Sequence, residues 1–506
     1  METVRRYAQL EPEDHRAAHL LGTLAFEEGD FDRADCAFRH VIALTPGFPP
    51  AYRDLAVAKK RKGEGENAIS VVHRAVQVDP TDADGFLLLG QLLARGEARK
   101  AFLKAVLLRP DRGQALMSLA NALQLEGQFD AAELLYRATI TMLPNSAEAH
   151  KNMAVALSER GSLDEAEAAI RRAVRYQPSE AAWRMALGQI LLLRGRYDEG
   201  WKQYEWRWKA GTTRPRSFAQ PEWAGEDMRG GVLLLHAEQG LGDTLQFCRY
   251  VSLAAARGAR VVLEVQPPLK TLMTSLTGAE KVVAAGETLP PFDRHCPLLS
   301  LPRLFKTRLD TIPAPMPYLR ADPMRRARWK ERLAARPGLN IGLVWAGGIV
   351  TPRNAQRSIA AGRLAPLAGT PGVNFISLQK YHPGADQSPP PAELDLVDWT
   401  DELTDFSDTA ALVDALDLVI AVDTAVAHVA GALGKPVWLL NRFFPCWRWL
   451  PEGNDSPWYP SLRQFRQPAL DDWDSVVAEI RTALELYAAA VTADPDLITG
   501  AGCPTS

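Results

Sequence analysis

Cysteine is scarce and scattered. The five present (Cys36, Cys248, Cys296, Cys446 and Cys503) form no Cys-x-x-Cys pair. Neither a disulfide framework nor a zinc site is indicated, which points to a reducing compartment. An excess of basic charge is also missing: 58 Lys and Arg stand against 61 Asp and Glu, a net charge of −3. Nucleic-acid binding usually leaves a basic footprint, so no nucleic-acid partner is expected. No uncharged apolar run approaches the roughly 18 residues a membrane helix needs, and Met1–Tyr7 lacks the apolar core of a signal peptide. The expectation is a cytoplasmic protein without a membrane span. What remains is a chain of 506 residues, 47% hydrophobic and 24% charged, long enough for two to four domains.

The first two hundred residues are periodic. Pro46, Pro80, Pro110, Pro144 and Pro178 are spaced 34, 30, 34 and 34 apart. Twelve residues before each stands an alanine (Ala34, Ala68, Ala98, Ala132, Ala166), and eight before it a larger apolar residue (Phe38, Val72, Phe102, Tyr136, Ile170). Gly29, Gly63, Gly127 and Gly161 fall where a turn would join two helices. Small residues at fixed places allow close helix crossing, and proline ends each unit because it cannot continue a helix. The pattern resembles the tetratricopeptide repeat, with a sixth unit beginning near Glu180 and a clipped inter-helix turn near Gly96. A helical solenoid is predicted for residues 1–210, whose use is recognition of a polypeptide. Its last helix carries Trp201, Tyr204, Trp206 and Trp208, an aromatic stripe read as packing against the next domain.

A turn-rich connector, 211–228, ends the helical period, and the pattern becomes strand, helix, strand. One half spans 229–325, a second 326–488, and a tail 489–506. Alternation of this kind predicts α/β architecture, two parallel sheets covered on both faces with a cleft between them. In the first half, the apolar run Val232–His236 meets Glu238-Gln239-Gly240-Leu241-Gly242-Asp243 and then a helix pattern. Ligands sit at such carboxyl ends, glycines permit close approach, and a helix N-terminus favours an anion. A dinucleotide fingerprint is incomplete, because its third position is Leu245. In the second half, a strand ends at Asp423, and Thr424-Ala425 opens a helix that carries His428. Its free N–H groups and the Thr424 hydroxyl suit a phosphate or diphosphate; the plainer alternative is that Asp423 caps the helix.

Gly240-Leu241-Gly242-Asp243 together with Asp423-Thr424-Ala425 and His428 resembles the GT-B glycosyltransferases related to the lipopolysaccharide heptosyltransferases. More closely, the whole chain resembles bacterial fusions of tetratricopeptide repeats to such a domain. Supporting motifs are Leu343–Gly347, Arg357-Ser358-Ile359, Ser377–Lys380 and Trp447-Arg448-Trp449. The resemblance implies two Rossmann-like halves, acceptor side first and donor side second. It implies Asp243 as general base on the acceptor hydroxyl, within the acceptor-side turn of Glu238, Gln239, Gly240 and Gly242. Asp423, Thr424, Ala425 and His428 take the role of the donor-phosphate loop, Arg357 of a cationic phosphate contact, and Gln379 and Lys380 of nucleotide-pocket lining. A residue before Trp447 that is usually acidic in related proteins is Cys446 here. No metal and no cofactor beyond a nucleotide-sugar co-substrate are implied, with the nucleotide open among CMP, UDP, GDP and ADP. The expected function is transfer of a sugar to a Ser or Thr hydroxyl of a protein docked by the repeats, with flagellin as the suspected acceptor. A glycan- or lipid-directed transferase and a non-catalytic repeat scaffold are the alternatives.

Overall fold

The computed structural model describes residues 13–211, 215–348, 356–381 and 388–493, without the Arg95 side chain. The chain divides into two compact units, Met1–Pro178 and Ser179–Ser506.

In the first unit, helices follow one another in pairs: α1 (His15–Glu27) and α2 (Phe31–Leu44), α3 (Pro49–Arg61) and α4 (Gly65–Val78), α5 (Ala83–Leu92) and α6 (Arg95–Leu108), α7 (Gly113–Leu125) and α8 (Phe129–Met142), α9 (Ala147–Glu159) and α10 (Leu163–Tyr176). The periodic alanines and their apolar partners are all buried. Opposite Phe38 and Phe102 only glycine fits. A Cβ at Gly22 would stand 2.5 Å from the Phe38 ring, and one at Gly90 2.4 Å from that of Phe102. Gly29, Gly63, Gly127 and Gly161 turn the chain within pairs at φ between +77° and +89°, a region that L side chains avoid. The third pair lacks such a glycine: α5 is shortened to ten residues and Gly96 is absorbed into α6. The clipped turn is therefore seen where the four-residue deficit predicts it.

The second unit opens with α11 (Ala181–Leu193) and α12 (Tyr197–Tyr204). These cross closely, because a Cβ at Gly188 would lie 2.7 Å from the Tyr204 backbone N and one at Gly200 2.8 Å from Leu192. Then come β1 (Val232–His236), α13 (Leu241–Phe247), α14 (Val251–Ala255), β2 (Arg260–Val265), α15 (Lys270–Met273), β3 (Ala279–Ala284), β4 (Arg294–Pro297) and α16 (Leu301–Leu304). After α17 (Pro323–Ala334) follow β5 (Leu339–Val344), β6 (Val373–Ser377), β7 (Val397–Asp398), α18 (Phe406–Ala415), β8 (Leu418–Val422), α19 (Ala425–Ala432), β9 (Val437–Asn441), β10 (Leu462–Arg466) and α20 (Trp473–Ala493). The last helix runs a few residues beyond position 488.

The strands make two parallel sheets, ordered β3-β2-β1-β4 and β10-β9-β8-β5-β6-β7. Every residue of β5, β8 and β9 is buried, as expected for strands covered on both faces. Ile341, Leu343, Ile420, Leu440 and Phe465 form one core with Trp473, Ile480 and Leu484 of α20. In each sheet the order reverses beside the first strand of the half: β4 lies on the far side of β1 from β2, and β8 on the far side of β5 from β6. Ligands favour the carboxyl ends at such reversals. The two sequence motifs sit there.

Candidate functional site

The chain leaving β1 is held at each step. Glu238, almost wholly buried, accepts from Arg207 Nε at 3.1 Å and Nη2 at 2.9 Å, and from the Leu299 N–H at 3.1 Å. Arg207, fully buried, also donates to Glu205 Oε1 at 2.7 Å and Ser300 Oγ at 2.9 Å. Burial pushes the Glu238 carboxyl up, to about 7, while the Arg207 guanidinium pulls it down. The Gln239 carbonyl takes the Gln266 amide at 2.8 Å, and Gln266 in turn accepts from the Thr244 hydroxyl at 2.9 Å. His236, at the end of β1, is enclosed beside His295 and Phe218, and burial drives its imidazole down to about 3. It is part of the wall.

Gly240 is the N-cap of α13, and Asp243 reaches back so that its Oδ2 accepts the Gly240 N–H at 3.0 Å. Its Oδ1 accepts from Arg448 Nη2. Arg448 belongs to the short turn Trp447–Trp449 that follows β9, so this ion pair joins the two sheets. The guanidinium lies over the Trp447 ring at 4.3 Å and donates to Gln246 Oε1 at 2.9 Å and Cys446 Sγ at 3.0 Å. Burial opposes its charge, but Asp243, Cys446, Tyr204 and Asp423 hold it protonated, well above the ordinary range.

The second motif packs directly on the first. Thr424, in extended backbone, is the N-cap of α19, yet its hydroxyl does not cap the helix; Oγ1 is buried without a hydrogen-bond partner. His428 lies one turn along and donates or accepts through Nδ1 with the Tyr459 hydroxyl at 2.8 Å. It stacks on Trp449 with ring centroids 5.2 Å apart. Burial first, then Arg448, lowers its imidazole to about 3, so the ring is neutral at physiological pH. A Cβ at Gly242 would stand 2.8 Å from His428 Cδ2 and 3.8 Å from the Ala425 Cα. The space a side chain would take is filled by this contact between α13 and α19, rather than being left for a ligand.

Arg357 lies against Gly347 at the carboxyl end of β5: a Cβ there would meet its Nε at 2.9 Å. That Nε is buried without a hydrogen-bond partner, and the charge of Arg357 is felt at His428. Residues 349–355, which carry the rest of that loop, lie outside the described residues. Asp243, Asp423, Thr424, Ala425, His428, Arg357 and the turn at Glu238–Gly242 are thus brought together. Gln379 and Lys380 behave differently. Gln379 is buried and spends its amide on backbone, accepting the Ala346 N–H at 2.9 Å and that of Trp345 at 3.2 Å, and donating to the Lys380 carbonyl at 3.1 Å. It shapes the loop after β5. Lys380 is exposed and donates to the Leu403 carbonyl.

Two residues have no signal in the sequence. Arg249, buried, donates to the carbonyls of Gln246 at 2.8 Å and Trp458 at 2.8 Å and to the Tyr318 hydroxyl at 3.1 Å, tying the segment after α13 to the six-stranded half. Arg207 holds Glu238 as described. An arginine of this kind reads like any surface cation until its partners, far along the chain, are in place. Among the described residues, no three His, Cys, Asp or Glu are grouped to hold a metal ion, and no helix is long and apolar enough to cross a membrane.

Comparison with known proteins places both regions. Residues 403–440, which run from before α18 through β8 and α19 into β9, match the glycosyltransferase family 9 (heptosyltransferase) model. Residues 95–147 and 123–190 match tetratricopeptide-repeat models. The chain is 30% identical over 321 residues to protein FlbA of Caulobacter vibrioides, covering 58% of this chain and 53% of that one. It therefore spans about half the length of the curated relative it matches. Among solved structures, MamA is 23% identical, with 34% of this chain and 96% of that one covered at a TM-score of 0.30. Pseudomonas aeruginosa pilF is 17% identical, with 40% and 94% covered at 0.36. The chain thus joins a region similar to tetratricopeptide repeats to one that contains a match to the glycosyltransferase family 9 model.

Proposed function

We propose that this protein transfers a sugar from a nucleotide-sugar donor to a Ser or Thr hydroxyl of a protein acceptor bound by the repeat array. One observation supports this most: the segment matched to glycosyltransferase family 9 contains Asp423–His428 and packs through His428 onto Gly242, beside Asp243. Two motifs some 180 residues apart in sequence thus share one site at the carboxyl ends of two parallel sheets.

In this reading the donor phosphates lie at the N-terminus of α19, where its free N–H groups and the unpartnered Thr424 hydroxyl point to an anion. Arg357 supplies positive charge to the leaving phosphate. Asp243 accepts the proton of the acceptor hydroxyl. The acceptor oxygen forms a bond to the anomeric carbon, the bond from that carbon to the phosphate oxygen breaks, and its electron pair leaves with the nucleotide. The neutral His428 packs the two helices at the distance this requires. Repeats fused to a transferase raise the local concentration of a polypeptide acceptor. Flagellin is the acceptor we put forward, on the resemblance to bacterial repeat–glycosyltransferase fusions.

Intact-mass measurement of flagellin after incubation with the protein and a panel of CMP-, UDP-, GDP- and ADP-sugars tests the reading. A mass increment of one sugar, lost in Asp243→Asn, is expected. An increment on a glycan or lipid-linked acceptor and none on protein would assign the alternative transferase. No stabilisation by any nucleotide sugar in thermal unfolding would leave the chain a scaffold.

A further inference from the structure

Both carboxylate oxygens of Asp243 are engaged: Oδ2 by the Gly240 N–H at 3.0 Å and Oδ1 by Arg448. The guanidinium sits on the Oδ1 side of the carboxylate, where it competes with any hydroxyl that would bond there. Of these two contacts, one is far easier to exchange than the other. The first caps α13, and losing it would unravel the turn from Gly240 to Asp243. The second comes from a side chain with another place to go.

Arg448 follows β9, and β9 lies next to β8, whose carboxyl end carries Asp423, Thr424 and Ala425. Trp449, the next residue, stacks on His428 of α19 at 5.2 Å, which puts the guanidinium beside the donor loop, and the charge of Asp423 acts on it. Its plane is supported by the Trp447 ring and by Gln246. Among the described residues, Nη1 is held by the Cys446 sulfur alone, at 3.0 Å, a weak acceptor. An arginine fork matches phosphate oxygens better than it matches a thiol and a single carboxylate oxygen. Resting on the donor reading above, we propose that Arg448 is a shared guanidinium, for which Asp243 and the donor phosphate compete through Nη1 and Nη2. Donor binding thereby releases the base, and a base stays masked when no sugar is present to receive the acceptor.

The competition has a signature in binding alone. Inorganic pyrophosphate is the probe, titrated calorimetrically into the full-length protein, into Asp243→Asn, into Arg448→Gln and into the double variant. Arg448→Gln is expected to weaken binding about tenfold, the scale of a lost charge-assisted pair. Asp243→Asn, whose amide still caps Gly240, is expected to tighten it several-fold because the guanidinium loses its rival. In the Arg448→Gln background that gain disappears. Equal tightening in both backgrounds reports simple charge repulsion and overturns the switch, as does no tightening at all. If Arg448→Gln does not fold, Arg448→Met keeps the stem and removes the charge, and the same loss of the Asp243 dependence is expected. Thr424→Val separates the two readings. Weaker binding there with no Asp243 effect leaves the donor site standing and removes only the switch; no binding to the wild type removes both.

Discussion

Single atoms decide much in this site. At Gly242 an added methyl would meet His428 Cδ2 at 2.8 Å and Nε2 at 3.3 Å. His428 is locked between Trp449 and Tyr459, so it has little room to give. Gly242→Ala is expected to lower stability by about 1–3 kcal/mol, the range for overpacking, and to reduce transfer further by separating α13 from α19. Urea denaturation and a transfer assay read the two effects. His428 also sets an acid limb. Its folded value, about 3, lies below the ordinary value near 6.5. Between those values the unfolded chain binds a proton that the folded chain refuses, so the stability due to neutral His428 is full above about pH 6.5 and is lost as pH falls toward 3. Melting curves between pH 7 and 4 should fall less steeply in His428→Gln than in the wild type. Equal slopes would show that His428 does not carry this linkage. Arg207 is the third such position. Arg207→Ala would leave Glu238 and Glu205 facing each other without their cation, and a loss of about 3–5 kcal/mol is expected from an uncompensated buried charge.

Elements were legible in proportion to how local their causes are. The prolines from Pro46 to Pro178 and the buried alanines ahead of them follow from helix packing within one repeat, so the array could be read residue by residue. β5, β8 and β9 announce themselves as continuous apolar runs. β10 did not. Its Gln464 is buried in mid-strand because its amide donates to the Trp449 and Asp455 carbonyls and its oxygen accepts from Asn441, a need invisible until those groups are in place. The pair Asp243 and Arg448 is opaque for the same reason, since 205 residues separate its members. Of the aromatic stripe read as packing, Trp201 and Tyr204 of α12 are buried against other rings, whereas Trp206 and Trp208 lie in the turn after it, half-buried beneath Arg184, Lys209 and Arg207. Trp201 donates to the Thr307 carbonyl at 3.2 Å and meets Phe247, Trp447 and Trp458. Trp201→Ala should cost about 3–5 kcal/mol, as large-to-small changes of buried aromatics do, and guanidinium titration of the fragment starting at Ser179 would measure it.

At the scale of the molecule, the sequence period and the compact units divide the chain differently. Repeat register continues through Gly188, Gly195 and Tyr197, whereas the second unit begins at Ser179 and includes α11 and α12. A fragment of residues 179–506 is therefore expected to unfold in one cooperative step, and a fragment of residues 211–506, stripped of Trp201 and Arg207, to aggregate. Similar solubility of the two would show that α11 and α12 are dispensable to that unit. Removal of residues 1–178 should abolish modification of a protein acceptor and spare pyrophosphate binding. Transfer should persist in EDTA, because the reading assigns the leaving charge to Arg357 and Arg448; activity restored only by a divalent cation would replace that assignment.

The packing of α12 also bears on how the protein is made. Trp201 leaves the ribosome well before its neighbours Trp447 and Trp458. At the usual ~5–20 residues per second, the roughly 250 intervening residues leave its aromatic face uncovered for about 10–50 s. Over that interval the helix can lie on α11 and then on Phe247, but the side that meets Trp447 and Trp458 stays open. The protein's yield in the cell should depend on chaperones that act during translation.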